Sequence, residues 1–174
     1  MRDTADEETS ALIAKRINKI AEEISSRSLL GLVHNRPEPW AQPLGCFANV
    51  IRKVAQDGGR SRFGWTFHHR FVERMPGPGY LFITHHAVWN APDGSLVNVT
   101  PYPELRHHPY SVDRNNMVFL VDDNARPFQR QNFLTPLPLR FFSVTGGDTD
   151  LDVYVEKLNK KEQEQWQKLI ASLN

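Results

Sequence analysis

Residues 80–100 restrict the possible folds more than any other stretch. An apolar and aromatic run, 80–89, meets the turn cluster Asn90-Ala91-Pro92-Asp93-Gly94, and a valine-rich run, 95–100, follows. Two such strands joined by five loop residues form an antiparallel hairpin. Pairing Trp89 with Ser95 puts His86 opposite Asn98, where facing Cβ atoms lie roughly 4.5–5.5 Å apart. A slip of one residue would put His85 or Ala87 there instead. Upstream, 64–74 reads as another strand, and Met75-Pro76-Gly77-Pro78-Gly79 turns the chain back to Tyr80. Three strands in succession form a meander, so the sheet is expected to be mostly antiparallel.

Helical periodicity frames this sheet. Ala11, Leu12, Ile13, Ile17, Ile20, Ala21 and Ile24 form an apolar stripe on a helix that runs from the capping-box spacing of Thr4-Ala5-Asp6-Glu7 to about Ser25. Residues 46–56 carry Phe47, Val50, Ile51 and Val54 at helical spacing and stop at Asp57-Gly58-Gly59. Between these helices 27–45 reads as a linker, with Pro37, Pro39 and Pro43 interrupting regular structure. Residues 117–121 and 139–144 read as a fourth and fifth strand, separated by the turn Asp122 to Pro127. A last helix is expected from Thr149 or Asp150 to Leu173, broken near Asn159. The expected fold class is α+β, with an N-terminal helix and a cysteine-bearing helix packed on a mostly antiparallel sheet, and a C-terminal helix outside it. The 174 residues suit one domain: a helix in 1–26, the linker 27–45, a core 46–146 and a helix 149–173.

The only cysteine, Cys46, falls in the first turn of its helix. A thiolate there faces unpaired backbone N–H groups and the positive end of the helix dipole, which eases its ionisation. Gln42 stands four residues before it, and His86 and Asn98 follow on the hairpin. Glutamine, cysteine, histidine and asparagine in that order are the parts of a thiol nucleophile with an oxyanion donor, a base and an orienting amide. Most single cysteines instead pack as small apolar residues.

The run His86-Ala87-Val88-Trp89, then Asp93-Gly94, then Leu96-Val97-Asn98-Val99-Thr100-Pro101 resembles the histidine and aspartate strands of transglutaminase-like proteins. With Cys46 at a helix start, residues 42–101 resemble the papain and transglutaminase superfamily of cysteine hydrolases. The resemblance implies a papain/transglutaminase-like core with Cys46 as nucleophile, His86 as base, Asn98 as the orienting residue and Gln42 in the oxyanion site. Transglutaminase-like sequences usually carry aspartate where this chain has Asn98, and papain-like enzymes carry asparagine. An amide orients the ring without adding charge to stabilise an imidazolium. The expected activity is a thiol-dependent hydrolase or acyltransferase acting on amide, ester or thioester carbonyls, with a protein, peptide or small amide as substrate and no cofactor. A non-catalytic binding module on the same scaffold is an alternative.

Composition narrows the partners. With 21 basic and 20 acidic residues the net charge is +1, which gives no electrostatic reason to expect nucleic acid or an anionic membrane. No apolar run approaches the length of a membrane span, and the opening Met1 to Glu8 lacks the apolar stretch of a secretory signal. A lone cysteine forms no internal disulfide, so a cytoplasmic location is expected, with export lacking a cleavable signal left open.

The rival expectation is a histidine-rich metal-binding protein. Six of the seven histidines form the pairs His68-His69, His85-His86 and His107-His108, and Glu73, Glu104 and Asp113 offer carboxylates. Adjacent strand residues point to opposite faces, so each pair gives one ligand to any centre. None of the pairs has the helical spacing of common zinc motifs, and no metal site is assigned.

Overall fold

The computed structural model describes residues 3–24, 29–102, 115–130, 133–147 and 149–173. In chain order the elements are α1 (Asp3–Ile24), β1 (Leu29–Asn35), α2 (Cys46–Asp57), β2 (Arg60–Arg70), β3 (Tyr80–Asn90), β4 (Leu96–Asn98) and β5 (Asn116–Val121), then β6 (Phe128–Arg130), β7 (Phe133–Thr135), β8 (Arg140–Ser143) and α3 (Thr149–Ser172).

Long apolar and aromatic runs make β2 and β3 the backbone of the fold. They pair antiparallel over their whole length, from Arg60 opposite Asn90 to Arg70 opposite Tyr80. β4 continues from the turn after β3 and lies parallel to β1, while β1 also pairs antiparallel with β5 and β5 with β2. The sequence β1-β4-β3-β2-β5 therefore returns to β1 and closes a five-strand barrel. Closure depends on Gly64, which faces Val121 across the β2–β5 seam. A Cβ there would lie 1.9 Å from the Leu120 carbonyl oxygen and 2.8 Å from the Phe119 ring, so only glycine lets the strands meet.

Val33, Val88, Met117, Phe119 and Val121 form one apolar cluster from β1, β3 and β5. Because β3 and β5 are not neighbours in the ladder, their contact marks the barrel interior. The opposite face of the β2–β3 hairpin presents Trp65, Phe67, Leu81 and Ile83 to the Ile13, Ile17 and Ile20 stripe of α1. Fully burying such side chains contributes about 1.5–3 kcal/mol each. Helix α2 lays Phe47 and Val50 on Ala87, Val97 and Val99. Helix α3 places Leu151 and Val155 against Tyr80 and then runs past β8, the strand added to the outer edge of β3. Its Asn159 accepts the Phe141 N–H and donates to the Phe141 carbonyl, standing in for a further strand on that edge.

Several expectations are corrected here. The class α+β is kept, but the open papain/transglutaminase-like sheet is not: the strands close into a barrel, and β1, within the expected 27–45 linker, supplies the closing element. The short β6–β7 hairpin was not expected. The C-terminal helix is unbroken at Asn159, whose side chain is spent on β8 rather than on its own backbone. Trp89 pairs with Val97, not Ser95, a register shift of two residues. An even shift preserves the face, so His86 and Asn98 stay on one side as diagonal neighbours.

Candidate functional site

The chain enters α2 through a strained turn. Leu44 has φ 64°, a left-handed conformation costly for a branched side chain, and Gly45 caps the helix with no side-chain acceptor. Asn49 holds this approach in place. Its Oδ1 accepts the Gln42 N–H at 3.1 Å, and its Nδ2 donates to the Gln42 carbonyl at 2.8 Å and to Thr100 Oγ1 at 3.1 Å. One buried amide thus ties the loop, the start of α2 and the chain beyond β4 together.

Cys46, 6 % exposed, follows at the first position of α2. Its sulfur accepts the backbone N–H groups of Phe47 and Ala87 and hydrogen-bonds with the His86 ring. The Ala87 N–H reaches the sulfur because β4 pairs with β3 only at Trp89 and Asn90. Asn98 is wholly buried behind the ring. Its Oδ1 accepts the Thr100 N–H at 3.2 Å, and its Nδ2 donates to Asn35 Oδ1 and to the Thr100 carbonyl, both at 3.1 Å. With the amide oriented in this way, Oδ1 lies 3.0 Å from His86 Nε2, which must donate, and Nδ1 is left to the sulfur.

Burial alone would push the Cys46 thiol up, but the His86 charge, its hydrogen bond and the two backbone amides outweigh it and hold the thiol below its ordinary value. Burial likewise works against a charged His86, and the charge and hydrogen bond of Cys46, with help from Asn98, raise the ring above the usual histidine range. Each group thus shifts the other towards its charged form. His85, the next residue along β3, behaves in the opposite way: burial takes it down to about 4. Its Nε2 donates to the Ala125 carbonyl at 2.6 Å and its Nδ1 accepts the Leu137 N–H at 3.0 Å. His85 is a neutral structural ring.

A cleft of about 1050 Å³ opens above this cluster, with Cys46 and His86 at one end. Thr66, His68 and Arg70 alternate along β2, and Phe82, Thr84 and His86 along β3, to form its floor. Ile51 of α2, Phe133 and Leu134 of β7, and Trp166 and Leu169 of α3 form its walls.

Of the four residues read from the sequence as a site, Cys46, His86 and Asn98 are in one hydrogen-bonded chain and Gln42 is not. The Gln42 side chain is exposed and does not line the cleft, because the Leu44 turn throws it outward while Asn49 holds its backbone. The expected thiol hydrolase or acyltransferase is therefore corrected. Its scaffold is replaced by a barrel, its oxyanion donor is absent from the cleft, and the Phe47 and Ala87 amides are aimed at the sulfur rather than at a reacting oxygen. Oxyanion stabilisation is usually the largest contribution to acyl transfer, and a contact between thiol, ring and amide does not make a catalytic triad without it. The metal-binding alternative is corrected as well. Among the described residues no group of three or more His, Cys, Asp or Glu side chains could hold a metal ion. Both nitrogens of His85 are bonded to backbone, and His69 bonds the Pro78 carbonyl. His107, His108, Glu104 and Asp113 lie outside the described residues.

The β2 contribution to the cleft floor was visible only as alternation of Thr66, His68 and Arg70 at period two. The walls gave no local signal, since they come from three separate elements. No protein family model matches this chain, and neither a curated protein nor a solved structure matches it.

Proposed function

We propose that this protein binds an elongated apolar small molecule in the cleft between α2, the β2–β3 hairpin and α3. The observation that carries this reading is where the exposed apolar side chains stand. Eight large hydrophobic residues are exposed among those described, and four of them, Leu44, Ile51, Phe133 and Leu169, line this one cleft. Leu44 is 80 % exposed and Phe133 70 %, a cost that a soluble surface ordinarily avoids and that a ligand would relieve. The volume suits a small-molecule site, and a few polar groups converge on it, Cys46 and His86 at one end and Thr66 and Thr84 along the floor. No described helix is long and apolar enough to cross a membrane, so the exposed residues are not explained by a membrane span.

Titration with Nile red, a neutral dye that brightens in apolar surroundings, tests the proposal. Saturable binding at one site per chain is expected. Phe133→Asp should weaken it about tenfold, since a carboxylate on the wall must be desolvated when the dye enters. Phe133 is exposed, so this substitution leaves the fold intact. Dye binding that does not saturate, or that ignores the Phe133 substitution, would refute the reading.

A further inference from the structure

The cleft has two unlike ends, and the second contains a cation with no counter-charge among the described residues. Arg70, the last residue of β2, lines the cleft opposite Tyr80, six pairs along the hairpin from the Gly64–His86 pair. At about 3.3 Å per residue this separates it from the Cys46 end by roughly 20 Å. Its guanidinium lies 5.3 Å from the centre of the Phe82 ring and bonds the Tyr80 side chain, yet its Nε is buried without a hydrogen-bond partner. Among the described residues no carboxylate pairs with Arg70. The one acidic residue among the described lining residues, Glu162, accepts the Leu139 N–H at 3.2 Å. A buried donor left unmet is costly, and a planar guanidinium fixed on an aromatic face fits the two oxygens of a carboxylate.

We infer that the ligand of the cleft is a long apolar carboxylate whose charged end sits on Arg70. The inference rests on the apolar-ligand reading above and gives that ligand a head and a direction. The guanidinium of Arg70 takes the anion at the far end, and the chain running back towards Cys46 and His86 covers Phe82, Phe133 and Trp166. Arg52, the other arginine among the described lining residues, already stacks over the Trp40 ring at 4.2 Å, and it is the Arg70 Nε that is buried without an acceptor.

Displacement of Nile red by tetradecanoic acid and by 1-tetradecanol at pH 8 separates head from tail. The acid should bind at least about tenfold more tightly than the alcohol, the size expected of a charge-assisted pair shielded from water. Arg70→Gln should remove that advantage and leave the alcohol unchanged, and Arg70→Lys, which keeps the charge without the fork, should restore part of it. Equal binding of acid and alcohol by the unmodified chain, or an advantage that survives Arg70→Gln, overturns the carboxylate assignment while the apolar cleft stands. Failure of both compounds to displace the dye overturns the two readings together. If Arg70→Gln does not fold, as read by circular dichroism, the lysine variant and the acid-to-alcohol ratio of the unmodified chain decide the matter.

Discussion

The two faces of the β2–β3 hairpin use the same residue types for opposite ends. On one face Trp65, Phe67, Leu81 and Ile83 pack under α1, and a polar residue on that face, His85, is kept neutral and bonded through both nitrogens to backbone. On the other face Thr66, Arg70, Phe82 and Thr84 look into an open cleft, and His86 has its pKa raised beside a sulfur. Two adjacent histidines thus have their pKa values moved in opposite directions by where the pleat points them. Position in the strand, not residue type, decides which way each ring's proton affinity moves.

The contrast is broken most severely at Gly64, where the hairpin meets β5. Gly64→Ala drives a methyl group into the Leu120 carbonyl and should cost more than about 4 kcal/mol of stability, opening the barrel seam. Urea unfolding measures the loss, and hydrogen exchange at β5 locates it.

On the packed face, His85→Ala should cost about 3 kcal/mol, since it opens a cavity beside Phe47 and Trp65 and leaves the Ala125 carbonyl and Leu137 N–H unpaired. The same ring sets an acid limb. Its folded pKa of about 4 lies below the unfolded value, so the unfolded chain takes up the proton first. Stability from this group is complete above about pH 6.5 and is lost as pH falls towards 4, by about 3 kcal/mol in all. His85→Gln should flatten that limb in unfolding measured across pH 4–7, a range of about three pH steps around these values.

On the cleft face the sign reverses. His86 has a raised pKa, so its contribution is present below about pH 6.5 and fades as pH rises through the folded value. His86→Gln should remove this fade, and with the imidazolium gone, burial should carry the Cys46 thiol upward. Alkylation by iodoacetamide at about pH 7 should then slow roughly tenfold, the smallest of these effects in free energy.

Much of the hairpin was legible before any coordinates. β3 and α2 were read within a residue of their ends, because turn residues and caps are local signals. The expected register set His86 directly opposite Asn98; the observed one is shifted by two residues, which keeps the two on one face as diagonal neighbours. β1 was not legible. Its seven residues show one buried position, Val33, with no alternation, and its place between β4 and β5 depends on partners more than sixty residues away. Barrel closure is likewise a fact about distant pairing, and Gly64 carries it without any motif. The Gln42 role came from the resemblance to papain-like enzymes alone, and here the positive φ of Leu44 turns that side chain outward. The cleft escaped notice because its walls converge from α2, β7 and α3 only after folding.

The clasp of Asn159 on Phe141 has a consequence for how these molecules behave in concentrated solution. β8 ends the ladder, and that single carboxamide occupies the donor and acceptor which a neighbouring chain would otherwise seize. Anything that peels α3 away bares a sticky border of main chain, so the last helix serves as a guard against fibre-like self-association as well as a wall of the cleft.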